Sequence, residues 1–159
     1  NKLNTTLETL KTSYQQAESM QAANIIGHGV LTAGKDINLS KSAALLGVDL
    51  ATAADKVKVV IYKDGKEVHS IDLGAQEAGT LPLGWNGSTA DLDAEGKNIV
   101  LPDGAYTFTV EATRGGTVLK DATALMFGSV ASVSTGANGV KLNVPGVGSI
   151  TMADVKQIL

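Results

Sequence analysis

The sequence predicts a mainly β protein: a small β-sandwich inserted into a second, smaller barrel, with a helix in front. Three observations carry the β-sandwich expectation. Between Gly79 and Ala112, two strand patterns flank the turn-forming pairs Asn86-Gly87 and Asp103-Gly104, whose backbone tolerates positive φ. Short apolar–polar alternations recur at roughly 8–12-residue spacing, the rhythm of a sandwich. Glycine is abundant, at 18 of 159 residues, and aromatics make up only 4%, as expected of many short strands joined by tight turns.

The first zone, 1–24, reads as a helix. Leu3, Leu7, Leu10, Tyr14 and Ala17 recur at spacings of four, three, four and three, the a/d pattern of a short coiled-coil seam. Glu8 and Lys11 lie three apart on its flank, where they can pair. About three heptads are marginal as a free helix in water. The segment is therefore an oligomerisation element that meets partner helices, an amphipathic helix lying on its own domain, or a fraying tail. Ile25 to Thr32 follows as an apolar strand with no neighbour in sequence to pair with.

The sandwich spans 38–125. Ile37 and Leu39, then Leu46, Val48 and Leu50, alternate as one or two opening strands. Val57, Val59 and Ile61 point one way, Asp64-Gly65 turns a hairpin, and Val68, Ser70 and Asp72 alternate with His69, Ile71 and Leu73. A strand over 79–85 ends on Trp85 and is stopped by Asn86-Gly87; a polar loop then runs to Val100-Leu101. Pro102-Asp103-Gly104 launches the next strand, with Tyr106, Phe108 and Val110 to one face and Thr107, Thr109 and Glu111 to the other. Trp85, Tyr106 and Phe108 are the bulkiest core anchors available, and Gly87, Asp103 and Gly104 set the turns. Gly115-Gly116 turns into a last strand, Val118 to Phe127.

The third zone has its own rhythm. Val130 and Val133 lead to the Gly136–Gly139 turn; Val140, Leu142 and Val144 alternate; Pro145-Gly146 breaks the strand; Val147 to Met152 makes one more. Ala153–Ile158 reads as a final helical turn. These strands are too few to close a core alone. Pairing them with 25–37 gives a small discontinuous barrel, 25–37 plus 126–159, with the sandwich inserted in it.

Composition narrows the function. Net charge is −3 and 18% of residues are charged, which leaves no electrostatic footprint for nucleic acid or an anionic membrane. The absence of cysteine excludes disulfides, thiolate chemistry and cysteine-ligated metals. No apolar run approaches the ~20 residues a membrane helix needs, and no signal-peptide core is visible. Residue 1 is Asn, not Met, so an N-terminal portion and any export signal in it are expected to lie outside this sequence.

Nothing nominates catalysis. The two histidines, His28 in a Gly-His-Gly turn and His69 in a strand, both read as surface residues. No nucleophile elbow, phosphate loop or metalloprotease motif occurs. Asp91-Leu-Asp93-Ala-Glu95-Gly96 has the front half of a calcium loop, but the twelfth position, which needs a bidentate Glu, is Pro102. A solvated acidic loop tip is the better reading. No metal, cofactor or small-molecule ligand is expected, and the chain is not expected to be an enzyme. Val100 and Leu101 are the candidate contact loop.

The order Gly84-Trp85-Asn86-Gly87, a Gly-containing loop, then Pro102-Asp103-Gly104-Ala105-Tyr106 resembles the immunoglobulin-like module of the flagellar hook-capping family. Ala23-Asn24-Ile25-Ile26-Gly27 with Val30, the hairpin Val57 to Val68, Ile71-Asp72-Leu73-Gly74 with Ala78-Gly79, and the closing segment Val130 to Ile158 are similar to that family too. The resemblance covers roughly residues 20–158. It implies an immunoglobulin/fibronectin-III-like sandwich inserted into a tudor-like (SH3-like) barrel. It also implies a scaffold that caps the growing hook and templates polymerisation of hook protein subunits at its distal end, without bond chemistry. Implied partners are hook protein subunits and further copies of the chain in a ring-like cap, with no nucleic acid and no membrane. The implied location is the distal tip of the growing rod or hook, reached through the flagellar export apparatus. The alternative is an extracellular adhesion or carbohydrate-binding sandwich. That reading wants a stripe of exposed aromatics, and most of the six present are assigned to the core. A calcium-dependent module resting on the Asp91 loop is the third reading.

Overall fold

A computed structural model describes residues 6, 23–137 and 139–159, with Ala90 described by its backbone alone. The expected helical seam, with Leu3, Leu7, Leu10, Tyr14 and Ala17, lies outside the described residues. Two compact units divide the chain: a larger one, Leu31–Phe127, and a smaller one formed by the flanks up to Val30 and from Gly128 onward.

In the larger unit, two sheets share one core. The first has the order β1 (Gly29–Ala33, from Leu31 on), β11 (Ala122–Ser129, up to Phe127), β3 (Ala44–Leu50), β6 (Gly79–Trp85). The second runs β10 (Thr117–Val118), β9 (Gly104–Arg114), β4 (Ala54–Lys63), β5 (Lys66–Gln76), with β2 (Asp36–Leu39) also on β9. Strand alternation sends Leu46, Val48 and Leu50 from the first sheet against Val57, Val59, Ile61, Tyr106 and Phe108 from the second. Trp85 belongs to this cluster. The boundary expected after residue 37 moves: Ile37 pairs with Tyr106 and is buried in the larger core, so this strand belongs to the sandwich. The last expected strand, Val118 to Phe127, is broken instead into β10 and β11.

The polar loop expected after Trp85 contains a two-stranded hairpin, β7 (Ser88–Leu92) and β8 (Asn98–Val100). Its strands are short and mostly polar, so alternation was too weak to mark them.

In the smaller unit, β12 (Ser132–Gly136), β13 (Gly139–Val144) and β14 (Gly148–Ile150) form an antiparallel meander. Val140, Leu142 and Val144 alternate inward and join Ile25, Val30 and Val130 in a separate core. The final helical turn is corrected: only Met152–Asp154 is a 3-10 turn, and Val155–Ile158 is a strand, β15, next to β1. The turn is held by Asp154, whose Oδ2 accepts from Thr151 N at 2.9 Å and Thr151 Oγ1 at 3.0 Å. Those bonds hold the Asp154 carboxyl below its ordinary pKa. Among the described residues, no helix is long and apolar enough to cross a membrane.

Candidate interaction surface

The surface is built on Trp85. As the last residue of β6 its ring turns into the core, leaving 5% exposed. It meets Tyr106 edge-on, with centroids 5.2 Å apart at 87°. Such pairs add to simple burial because the positive ring edge faces a negative ring face. The indole Nε1 donates to Ser88 O at 3.0 Å, tying the pillar to the first residue of β7. Asn86 Oδ1 accepts from Ser88 N at 3.0 Å, a local turn that Asx side chains favour. Gly87 sits at φ +86°, where a Cβ would lie 2.9 Å from Leu39 Cδ2 and 3.2 Å from Leu101 O. Only glycine fits both the dihedral and the space. Leu101 N then donates to Gly87 O at 2.8 Å and closes the hairpin base.

Tyr106 stabilises the same end. Its hydroxyl donates to Pro102 O four residues upstream, the corner geometry of immunoglobulin-like sandwiches. Lys63 Nζ lies 4.9 Å from the ring centroid and donates to Ala105 O at 2.9 Å. Burial, with the Asp103 charge second, pushes the phenol pKa up. Asp103 does more than turn the chain. Its carboxylate accepts from Lys41 N at 2.8 Å and Ser42 N at 3.1 Å, 62 and 61 residues away. Lys41 and Ser42 are both left-handed, at φ 54° and 59°. Non-glycine residues adopt that backbone at a cost, and Asp103 offsets it. Beside this turn a shallow groove is lined by Ala43, Leu45, Gly84, Trp85, Asn86 and Ser88.

The hairpin is tied at every level. Thr89, itself buried, donates from Oγ1 to Ile99 O at 3.0 Å, and Asn98 Nδ2 donates to Thr89 O at 2.6 Å. At the tip Asp93 Oδ1 accepts from Glu95 N and Lys97 N, at 2.9 and 3.0 Å. The acidic run thus has a structural task, and among the described residues no three His, Cys, Asp or Glu side chains gather to hold a metal. Three of the side chains the hairpin exposes are apolar, Leu92 at 61%, Ile99 at 40% and Val100 at 54%, beside the exposed Asp91, Asp93, Glu95, Lys97 and Asn98. The expected contact pair is therefore revised. Val100 is exposed, whereas Leu101 is half-buried against the core. Leu92 stands between Asp91 and Asp93, and Ile99 directly precedes Val100-Leu101 and extends that apolar run.

His69 is also corrected. It is half-buried, its ring stacked on Trp85 with centroids 6.3 Å apart at 12°. It shares the inner face of β5 with Ile71 and Leu73, which pack on the core; the bulge between the Ile61–His69 and Tyr62–Glu67 pairs adds Val68, which is half-buried as well. Burial lowers the imidazole pKa. His28, in the smaller unit, is exposed, with Nδ1 3.4 Å from Leu159 O. In the larger unit the groups with displaced pKa among the described residues, His69 and Tyr106, are both driven toward their neutral forms.

Comparison with known proteins places this architecture. The family model described as the FlgD Ig-like domain matches residues 34–116. Basal-body rod modification protein FlgD of Salmonella typhimurium is 35% identical over 167 aligned positions, which cover 99% of this chain and 69% of that protein. The chain belongs to the FlgD family. FlgD of Escherichia coli K12 matches with the same identity and coverage. Two crystal structures of FlgD share the fold. FlgD from P. aeruginosa superposes with a TM-score of 0.61 at 26% identity, covering 85% of this chain and 98% of that one. FlgD from Xanthomonas campestris superposes at 0.63 and 27% identity over 88% and 98%, and is described as giving insight into the hook capping essential for flagellar assembly.

Proposed function

We propose that this FlgD-family chain is a structural scaffold that caps the growing hook of the bacterial flagellum. It holds and guides hook protein subunits as they enter the lattice at the distal end, by shape and reversible contact. The observation that carries the reading is the shared fold, over 88% of this chain, with a FlgD crystal structure described in terms of hook capping. The exposed Leu92, Ile99 and Val100, on a hairpin tied to the core through Trp85, suit such work, because reversible contact draws on buried apolar area.

In this reading Leu92, Ile99 and Val100 contact hook subunits. The seam of Leu3, Leu7, Leu10, Tyr14 and Ala17, on a helix over 1–24, joins copies into the cap. The larger unit is the immunoglobulin/fibronectin-III-like sandwich, and the smaller one is a tudor-like barrel. The chain works outside the cell after passing through the flagellar export apparatus, with no cofactor and no catalytic step. Gold-labelled antibody against the full-length protein on growing cells tests this. Label at the tips of short, incomplete hooks and absent from finished ones is expected. Diffuse label over the cell surface would overturn the reading in favour of an adhesion module.

A further inference from the structure

We propose that His69 is a pH-sensitive prop of the β7–β8 hairpin: acidification drives its ring off Trp85 and loosens the surface carried by Leu92, Ile99 and Val100. The proposal deepens the reading of that hairpin as a contact surface, and rests on it for its biological meaning.

The geometry is specific. His69 lies on the inner face of β5 with Ile71 and Leu73, and its ring stacks on the indole at 12°. His69 Nδ1 is buried and has no hydrogen-bond partner. In the neutral imidazole one ring nitrogen is a bare acceptor, and Nδ1 can take that role. Protonation turns the buried Nδ1 into a donor for which no acceptor lies within hydrogen-bond reach among the described residues. A charged donor without a partner is far costlier to bury than a neutral acceptor.

Charges nearby do not rescue the imidazolium. On β5 the neighbouring carboxylates, Glu67 and Asp72, are exposed. Across the ladder β4 pairs Ile61 with His69; its outward Lys58 would in any case repel a cation. β6 contributes Trp85, behind which stands Tyr106, kept neutral by burial. β7 contributes Asp91, which is exposed. Burial alone moves the imidazole pKa, and moves it down. Cation–π attraction to Trp85 is weak here, since the centroids are 6.3 Å apart, at the edge of the ~6 Å range where it acts.

The sign follows. The outward ring has an ordinary pKa of about 6.5, and the inward ring a lower one. The inward form is therefore fully favoured above about 6.5 and loses ground as pH falls toward the inward value. The hairpin feels the change because the same indole that carries His69 donates to Ser88 O at the start of β7.

Trp85 is the only tryptophan, so indole emission reports this stack alone. Titrating the full chain from pH 8 to 5 is expected to change that emission with a midpoint below 6.5. Limited proteolysis within 88–101 is expected to speed up over the same window, by up to about tenfold for each unit separating the two pKa values. His69→Gln should abolish both effects and His28→Gln should leave them. A flat wild-type titration, or an unchanged one in His69→Gln, overturns the proposal. If His69→Gln does not fold, NMR titration of the wild-type imidazole decides: a His69 pKa at or above 6.5 overturns it, a lower one supports it. These readouts use the chain alone, so they succeed or fail separately from labelling at hook tips.

Discussion

Replacing Trp85 by Ala removes the pillar on which the hairpin stands. The side chain is 5% exposed, so almost the whole indole leaves the core. An aromatic of this size buries about 200 Å², worth about 5 kcal/mol at 25 cal/mol/Å². Large-to-small truncations of buried Trp cost about 3–5 kcal/mol when relaxation and cavity terms are included. The loss also strands Ser88 O and the edge contact with Tyr106. In a domain of about 100 residues each kcal/mol lowers Tm by about 4–8 °C, so a fall of roughly 12–40 °C is expected. Far-UV circular dichroism during thermal and urea unfolding reads it, because the variant has no tryptophan. Trp85→Phe keeps a ring but loses the Nε1 bond, and should cost about 1–2 kcal/mol. A Tm within about 3 °C of wild type for Trp85→Ala would refute the pillar and make the ring a surface contact.

Asp103→Ala leaves two left-handed residues without their acceptor, and should cost about 1–2 kcal/mol in urea unfolding, part of it regained by Ser42→Gly. Gly128→Ala would put a Cβ 2.4 Å from Val144 Cγ1 and should destabilise the smaller unit by about 1–3 kcal/mol. Gly84→Ala meets nothing within 4 Å and should stay within about 0.5 kcal/mol by the same assay. Tyr106 has a raised pKa, so its contribution is complete below the unfolded value of about 10 and is lost as pH rises through the folded value; Tyr106→Phe should flatten that alkaline loss in stability. Asp154 has a lowered pKa, so its contribution is present above about 4 and is lost as pH falls through the folded value; Asp154→Asn should remove that acid dependence.

Much of the fold was legible wherever strand period and turn chemistry agreed. Tyr106 to Val110 and Val140 to Val144 alternate, Val57, Val59 and Ile61 face the core as their spacing predicts although Val60 is buried too, and Asp64-Gly65 and Asn86-Gly87 stand at real turns. Legibility failed where a residue's polarity competed with the strand period or tertiary contacts overrode a local pattern. His69 has the parity of the inward Ile71 and Leu73, yet its polar ring reads as a surface residue. Ala153-Asp154-Val155-Lys156 reads as a helical turn, yet β1 offers a ladder that draws Val155–Ile158 into a strand. The hairpin has little apolar alternation of its own and is held by polar side-chain bonds from Trp85, Thr89 and Asp93. Sequence named Val100 for the contact surface; its companions Leu92 and Ile99 needed the hairpin register to be seen. The clamp from Asp103 to Lys41 and Ser42 spans about 60 residues and left no local signature.

The most direct test of the account is site-specific photocrosslinking from position 99 of the full-length protein in cells growing hooks. The account predicts adducts with hook protein subunits from positions 99 and 92, and none from the equally exposed apolar Val118 on β10. Adducts with hook subunits from position 118, with none from 99 or 92 in cells that still build hooks, would contradict it.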